Sequence, residues 1–181
     1  GISQLLTDVR VMDEQLHEVP WDGQSGGEIV ARGNNVMEGY YKQPEETARA
    51  MRGGWFHSGD LAVVHPDGYI EVVDRAKDVI KSGGEWISSV ELEGIAIGNP
   101  DLADAAVIGA KHPKWDERPV LVAVKAPGKE PEEQSLLAFY EGKIAKWQIP
   151  DKVVFTDAIP RNATGKILKN KLREMFGDCL L

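Results

Sequence analysis

Apolar and polar positions set out the elements of this chain before any other property does. Leu61 and Val63, then Ile70 and Val72, recur at every second residue on either side of Pro66-Asp67-Gly68. That period belongs to half-buried strands and the triplet to a turn, so the pattern predicts a β-hairpin over Leu61–Val64 and Tyr69–Val73. Upstream, Glu28–Ala31 is a short apolar-centred run closed by Arg32-Gly33-Asn34-Asn35, a strand followed by a turn. Residues 45–52 read as a helix that Gly53-Gly54 stops.

Beyond Asp74-Arg75 the pattern changes. Ser88, with Glu91 three residues later, predicts a capped helix ending near Gly98-Asn99-Pro100. Ala105–Gly109 and Pro119–Val124 are runs of the length and composition of buried strands. Pro131-Glu132-Glu133 sets proline and negative charge where a longer helix would start. Leu136, Leu137, Tyr140 and Ile144 would form its apolar face, with Lys143 and Lys146 near its carboxyl end. Lys152–Phe155 predicts a further strand and Asn170–Phe176 a last short helix. The expected class is therefore α+β. A β-rich stretch covers residues 1–76, and a small domain with a short sheet flanked by helices covers 77–181.

Composition narrows the function. The chain has 181 residues, 42% hydrophobic and 28% charged, a globular balance. No apolar run approaches the roughly 20 residues that span a bilayer, and Gly1–Arg10 lacks the basic-then-apolar order of a secretory leader. Cys179 is the only cysteine, which excludes an internal disulfide and fits a reducing cytoplasm. The net charge of −8 argues against nucleic-acid binding. Yet Arg161, Lys166, Lys169, Lys171 and Arg173 lie in a stretch without one acidic residue, which suits a small anionic ligand. His57, His65 and His112 lack metal-ligand spacing, so no metal site is expected. Trp21, Trp55 and Trp115 read as packing residues, and Cys179 as part of a frayed end.

Three segments carry more glycine and charge than a core needs. In Gly53–Asp60, a carboxylate follows a glycine and can accept two hydrogen bonds from a vicinal diol, although on this segment alone a turn between strands is the favoured reading. Asp74–Trp86 runs from a strand end through a charged link into Gly83-Gly84, where backbone can approach a ligand closely; a linker followed by a hairpin turn fits too. Pro160–Ile167 ends in Gly165-Lys166, but Pro160 and Ile167 occupy positions where the Walker-type phosphate loop needs glycine and Ser or Thr. What remains there is a mobile point charge on a loop of small residues, or a plain solvated lysine.

In this order and at this spacing, the three segments resemble the closing motifs of adenylate-forming enzymes. That superfamily comprises acyl- and aryl-CoA synthetases, peptide-synthetase adenylation domains and luciferases. Gly27–Tyr41 is similar to the motif that precedes them. The wording of Lys81–Ser89 and His112–Pro119 is closest to bacterial medium-chain fatty-acyl and methylthio-acid CoA ligases. The resemblance implies that residues 1–76 are the distal, β-rich end of an amino-terminal AMP-binding domain and that residues 77–181 are a mobile carboxyl-terminal domain. It implies Asp60 and Arg75 as nucleotide-binding residues, with Ser58 where threonine is commoner, and Lys77 as the hinge. Lys166 would be the catalytic lysine of adenylation, while Gly83, Gly84 and Trp86 would face the pantetheine tunnel and Trp147 the CoA nucleotide.

The implied substrates are a fatty or related carboxylic acid, ATP and CoA, with Mg²⁺ on the phosphates and AMP as product. The chain lacks the family's phosphate loop and acyl pocket, so it is expected to be a fragment inactive by itself. Two rival readings stay open: a stand-alone module that binds nucleotide or CoA or docks on a partner, and an adenylation domain that loads carrier-protein pantetheine. A sheet cut at its edge would also permit a dimer of the chain.

Overall fold

The computed structural model describes residues 6–181, so the reading of Gly1–Arg10 falls partly outside it. The chain forms two compact units that divide after Lys77.

The first unit is a four-stranded antiparallel sheet in the order β1 (Thr7–Met12), β2 (Gly26–Gly33), β3 (Phe56–Val64) and β4 (Ile70–Arg75). Helix α1 (Pro44–Ala50) and a single 3₁₀ turn connect β2 to β3. Val11, Val19, Ala62 and Val64 bury one cluster, and Met12, Val30 and Trp55 another. The β3–β4 hairpin lies where the alternation placed it, but β3 begins five residues earlier than expected. Ser58-Gly59-Asp60, read as a turn, therefore lies within a strand. Between Glu28 and Val30 the ladder shifts, so that Glu28 pairs with Leu61 and Val30 with His57. Those three residues are the bulge that takes up the difference.

The second unit has a five-stranded sheet in which β6 (Glu85–Ile87), β5 (Ile80–Ser82), β8 (Asp116–Lys125) and β7 (Leu102–His112) are neighbours, and β9 (Lys152–Phe155) joins β8 in parallel. Successive residues of β7 point to opposite faces, and both faces are covered. Ala105 and Val107 join Leu92 and Ala96 of α2 (Ser89–Ile97) and Leu136 of α3 (Glu133–Ala138). Ala106, Ile108 and Ala110 join Leu172 of α4 (Lys169–Phe176). Burial on both faces is why the sequence showed continuous runs here rather than alternation. The result is the α+β architecture expected, with mainly antiparallel sheets flanked by helices.

Two expectations need correction. The helix expected from Pro131 is only six residues long: α3 starts at Glu133 and ends at Ala138, and the chain then turns, with Gly142 at a left-handed φ of +75°. Leu136 and Tyr140 are still buried, the latter with its hydroxyl donating to Leu92 O at 3.0 Å. Cys179, expected in a frayed end, is half-buried against the α4 core; Lys152 Nζ donates to its carbonyl at 3.0 Å, and burial pushes its thiol pKa up. Ser88 caps α2 as expected, accepting from Glu91 N at 3.2 Å. No helix among the described residues is long and apolar enough to cross a membrane.

A buried charge locks α4 to α2. Lys169, 9% exposed, donates to Ser89 Oγ at 2.6 Å and pairs with Glu93 Oε1 at 2.9 Å. The same Glu93 oxygen accepts from Val107 N at 2.9 Å. Removing one partner of such a pair strands the other away from water, which costs about 3–5 kcal/mol. Lys169→Met is therefore expected to destabilise the second unit by about 3 kcal/mol in urea unfolding, and a change below 1 kcal/mol would show the pair to be incidental.

Candidate functional site

The bulge in β3 creates the first chemical feature. Gly59 has a φ of +74°, which frees its N–H from the ladder and turns it onto Glu28 Oε1 at 2.9 Å. Glu28 Oε2 meets Arg52 Nη2 and His57 Nδ1, each at 2.7 Å. Burial works against the charge of Glu28, but the hydrogen bonds from His57, Gly59 and Arg52 outweigh it and hold its carboxyl below the usual range. Ser58 Oγ donates to Ile29 O at 2.7 Å and accepts from Asp60 N at 3.1 Å, which fixes where Asp60 begins. Across the ladder Asp60 is paired with Arg75, and Arg75 Nε lies 2.9 Å from Asp60 Oδ1. Both side chains keep solvent access, at 33% and 54% exposure. The structure thus brings together the two residues assigned to nucleotide. Lys77 stands exposed in the turn that follows β4.

Gly83 and Gly84 form the tight turn between β5 and β6, with φ of +59° and +90°. Two successive positive values define a type I′ hairpin, which non-glycine residues resist. Gly83 N donates to Trp115 O at 2.9 Å, and a Cβ on Gly83 would lie 2.9 Å from the Trp115 ring. Trp115, read as a packing residue, is 42% exposed and packs on this turn; Trp86 and Trp147 are exposed by 37% and 46%.

Lys166 stands on a second tight turn. Asn162 Oδ1 accepts from Thr164 N, Thr164 Oγ and Lys166 N at 2.8–3.0 Å, and Arg161 bridges to Ile167. Arg161 anchors this turn to the sheet: Nη2 reaches both Asp104 oxygens at 2.8 Å while Nη1 donates to Gly165 O at 2.9 Å. The Lys166 side chain is exposed and has no ion-pair partner among the described residues. The backbone of the turn is held while its cation stays without an ion-pair partner among the described residues.

The two turns lie at opposite ends of one hairpin. The Lys166 turn attaches at Asp104, near the start of β7, whereas the Gly83 turn attaches at Ser82–Asp116, beside the β7 residue His112. At about 3.3 Å per residue, the eight steps from 104 to 112 separate the attachments by roughly 26 Å. Glu28 and Arg118, which hold these loops, were not singled out from sequence, because their partners are too distant along the chain for a local pattern to show. Lys169 was counted in the basic stretch suited to an anionic ligand, but its charge, like those of Arg161 and Arg173, is taken up within the fold, by Glu93, Asp104 and Asp78 respectively. Among the described residues, no group of three or more His, Cys, Asp or Glu side chains could hold a metal ion.

Comparison with known proteins shows what the chain is similar to. Residues 91–166 match the AMP-binding enzyme C-terminal domain. The chain is 56% identical over 173 residues to the 3-methylmercaptopropionyl-CoA ligase of Ruegeria lacuscaerulensis, covering 96% of this chain and 32% of that protein. It is 48% identical over 174 residues to the medium-chain-fatty-acid–CoA ligase of Ectopseudomonas oleovorans, with the same coverage of 96% and 32%. Among solved structures, ATP-bound MatB from Rhodopseudomonas palustris superposes with a TM-score of 0.86 at 34% identity, over 100% of this chain and 36% of that one. The chain spans about a third of the length of the curated relatives it matches.

Glu28 gives the site a pH dependence. Its folded pKa lies below its unfolded one, so its stabilising effect is complete above the ordinary carboxylate range and is lost as pH falls through the lowered value. Glu28→Gln should cost about 2 kcal/mol in urea unfolding at pH 7, with the gap from the parent closing towards pH 3. A gap that stays constant with pH would show that charge is not what holds the bulge.

Proposed function

We propose, from the premise that this chain belongs to the adenylate-forming enzymes through its AMP-binding C-terminal domain, that it serves an ATP-dependent acid–thiol ligase. The activity belongs to the whole protein, and the acid is fatty or closely related, matching the CoA ligases it is similar to. In the first half-reaction a carboxylate oxygen attacks the α-phosphorus of ATP. The bond to the β-phosphate oxygen breaks, releasing pyrophosphate and leaving acyl-AMP. Two anions must meet, and the unpaired cation of Lys166, bridging carboxylate and phosphate oxygens, relieves their repulsion. Mg²⁺ arrives with the nucleotide substrate and neutralises phosphate charge. Asp60 accepts from the ribose hydroxyls while paired with Arg75, whose remaining donors face ribose and phosphate.

In the second half-reaction the CoA sulfur, its proton lost to solvent, attacks the acyl carbon, and the carbon–oxygen bond to AMP breaks. Gly83, Gly84 and Trp86 line the pantetheine approach and Trp147 meets the CoA nucleotide. The observation that carries this reading is the separation of the Lys166 and Gly83 turns along β7–β8. No single orientation of the unit delivers both to one reacting centre, so the unit turns about Lys77 between half-reactions. The reading includes a cytoplasmic setting. It also includes self-association of the isolated chain through β1 or β4, the outer strands of the first sheet. Light scattering that finds only monomer at high concentration removes that last element.

In the intact enzyme, Lys166→Ala should lower acyl-AMP formation by about 10²–10³ while conversion of supplied acyl-AMP to acyl-CoA persists. Equal loss of both half-reactions, or of neither, contradicts the two-faced unit.

A further inference from the structure

Arg118 is the last residue but one of the His112–Pro119 segment, whose residues carry part of the family resemblance but no assigned role. Its side chain is only 11% exposed, and its guanidinium makes five hydrogen bonds. Nε and Nη2 donate to Asp151 Oδ1 at 2.9 and 2.6 Å. Nη1 donates to Ser82 Oγ at 3.1 Å and to Trp147 O at 2.7 Å, and Nη2 to Ile149 O at 3.2 Å. Asp151 is itself fixed to the sheet, its N–H donating to Pro119 O at 2.9 Å.

One planar group thus joins two stretches of chain that share no other hydrogen bond or strand pairing described above. Ser82 is the last residue before the Gly83-Gly84 turn, and Trp147 sits in the 3₁₀ turn Lys146–Gln148. That short turn has no buried residue of its own to hold it. The fork geometry is specific to arginine. A lysine ammonium is a single donor centre that can pair with Asp151, but it cannot also reach Ser82, Trp147 and Ile149 in their separate directions. The Lys166 turn is anchored through Asp104 at the far end of β7–β8, and among the described residues no hydrogen bond or ion pair joins it to this group.

We infer that Arg118 is a positioning residue for thioester formation: it sets the spacing between the Gly83-Gly84 turn and the Trp147 turn, and so shapes the surface that receives CoA, without touching the reacting atoms. This rests on the two-faced reading above. It predicts a selective defect, because the group that Arg118 orders is remote from the cation that serves adenylation.

The test is steady-state and half-reaction kinetics of the intact enzyme carrying Arg118→Lys, with Ser82→Ala as a second variant that removes one acceptor and leaves the Arg118–Asp151 pair. Arg118→Lys should raise KM for CoA by about 10–100-fold, with acyl-AMP formation and KM for ATP within about twofold of the parent. Ser82→Ala should move KM for CoA in the same direction by a smaller factor. The inference is overturned if CoA kinetics of both variants match the parent, or if adenylation falls in step with transfer, the result of a purely structural role. Lys166→Ala, assayed alongside, separates the two levels. If it loses adenylation alone while the Arg118 and Ser82 variants are silent, the two-faced reading stands and Arg118 has no part in it. If Lys166→Ala is silent too, both fall together.

Discussion

A charge taken out of water must be met by hydrogen bonds, and each loop of the candidate site is tied to such a charge. Glu28 holds the N–H of Gly59 and with it the bulge that ends at Asp60. Lys169, three residues beyond Lys166, is buried against Ser89 and Glu93. Arg118 holds the strand end before Gly83 and the turn at Trp147. Desolvated ions of this kind contribute less to net stability than their short distances imply, because the desolvation penalty offsets much of the attraction. What they confer is intolerance of alternatives, since any other arrangement leaves a buried charge unmet. The loops can therefore be rich in glycine and exposed yet keep one geometry.

The second constraint is the length of the β7–β8 hairpin. Buried on both faces, it is the stiff member of the second unit, and the Lys166 and Gly83 turns hang from its two ends. A stiff rod with a cation at one end and a glycine turn at the other presents them one at a time. Chemistry in two steps, the first needing charge between two anions and the second needing room for a long thin nucleophile, matches that division. A flexible loop carrying both features would have to be reordered at each turnover, with the entropic cost that ordering entails.

The parts of this architecture legible in the sequence are those fixed by near neighbours. The hairpin around Asp67-Gly68, the cap at Ser88 and the strand Lys152–Phe155 follow from period and turn chemistry within about ten residues. The bulge at Ser58–Asp60 was not legible, because it is a property of register against Glu28, about thirty residues away. Nor was the shortness of α3: its apolar spacing continues to Ile144, but the helix ends at Ala138 and the chain turns, with Gly142 in a left-handed conformation, while Tyr140 stays in the core. Arg118 reads locally as one charge among Asp116 and Glu117, and its partners lie 29–36 residues away. The candidate site shows the same division: Asp60, Arg75 and Lys166 could be named from motif resemblance, but the charges that hold them required the fold.

The claim at the centre of this account is that a carboxylate attacks the α-phosphorus of ATP. Its most direct test is to supply the intact enzyme with an acid whose carboxylate carries oxygen-18, together with ATP and CoA, and to follow the label by mass spectrometry. Attack at the α-phosphorus and later departure of AMP leave one labelled oxygen in AMP and none in pyrophosphate. Label in inorganic phosphate or pyrophosphate, or product formed with unlabelled AMP, would place the chemistry elsewhere and contradict the account.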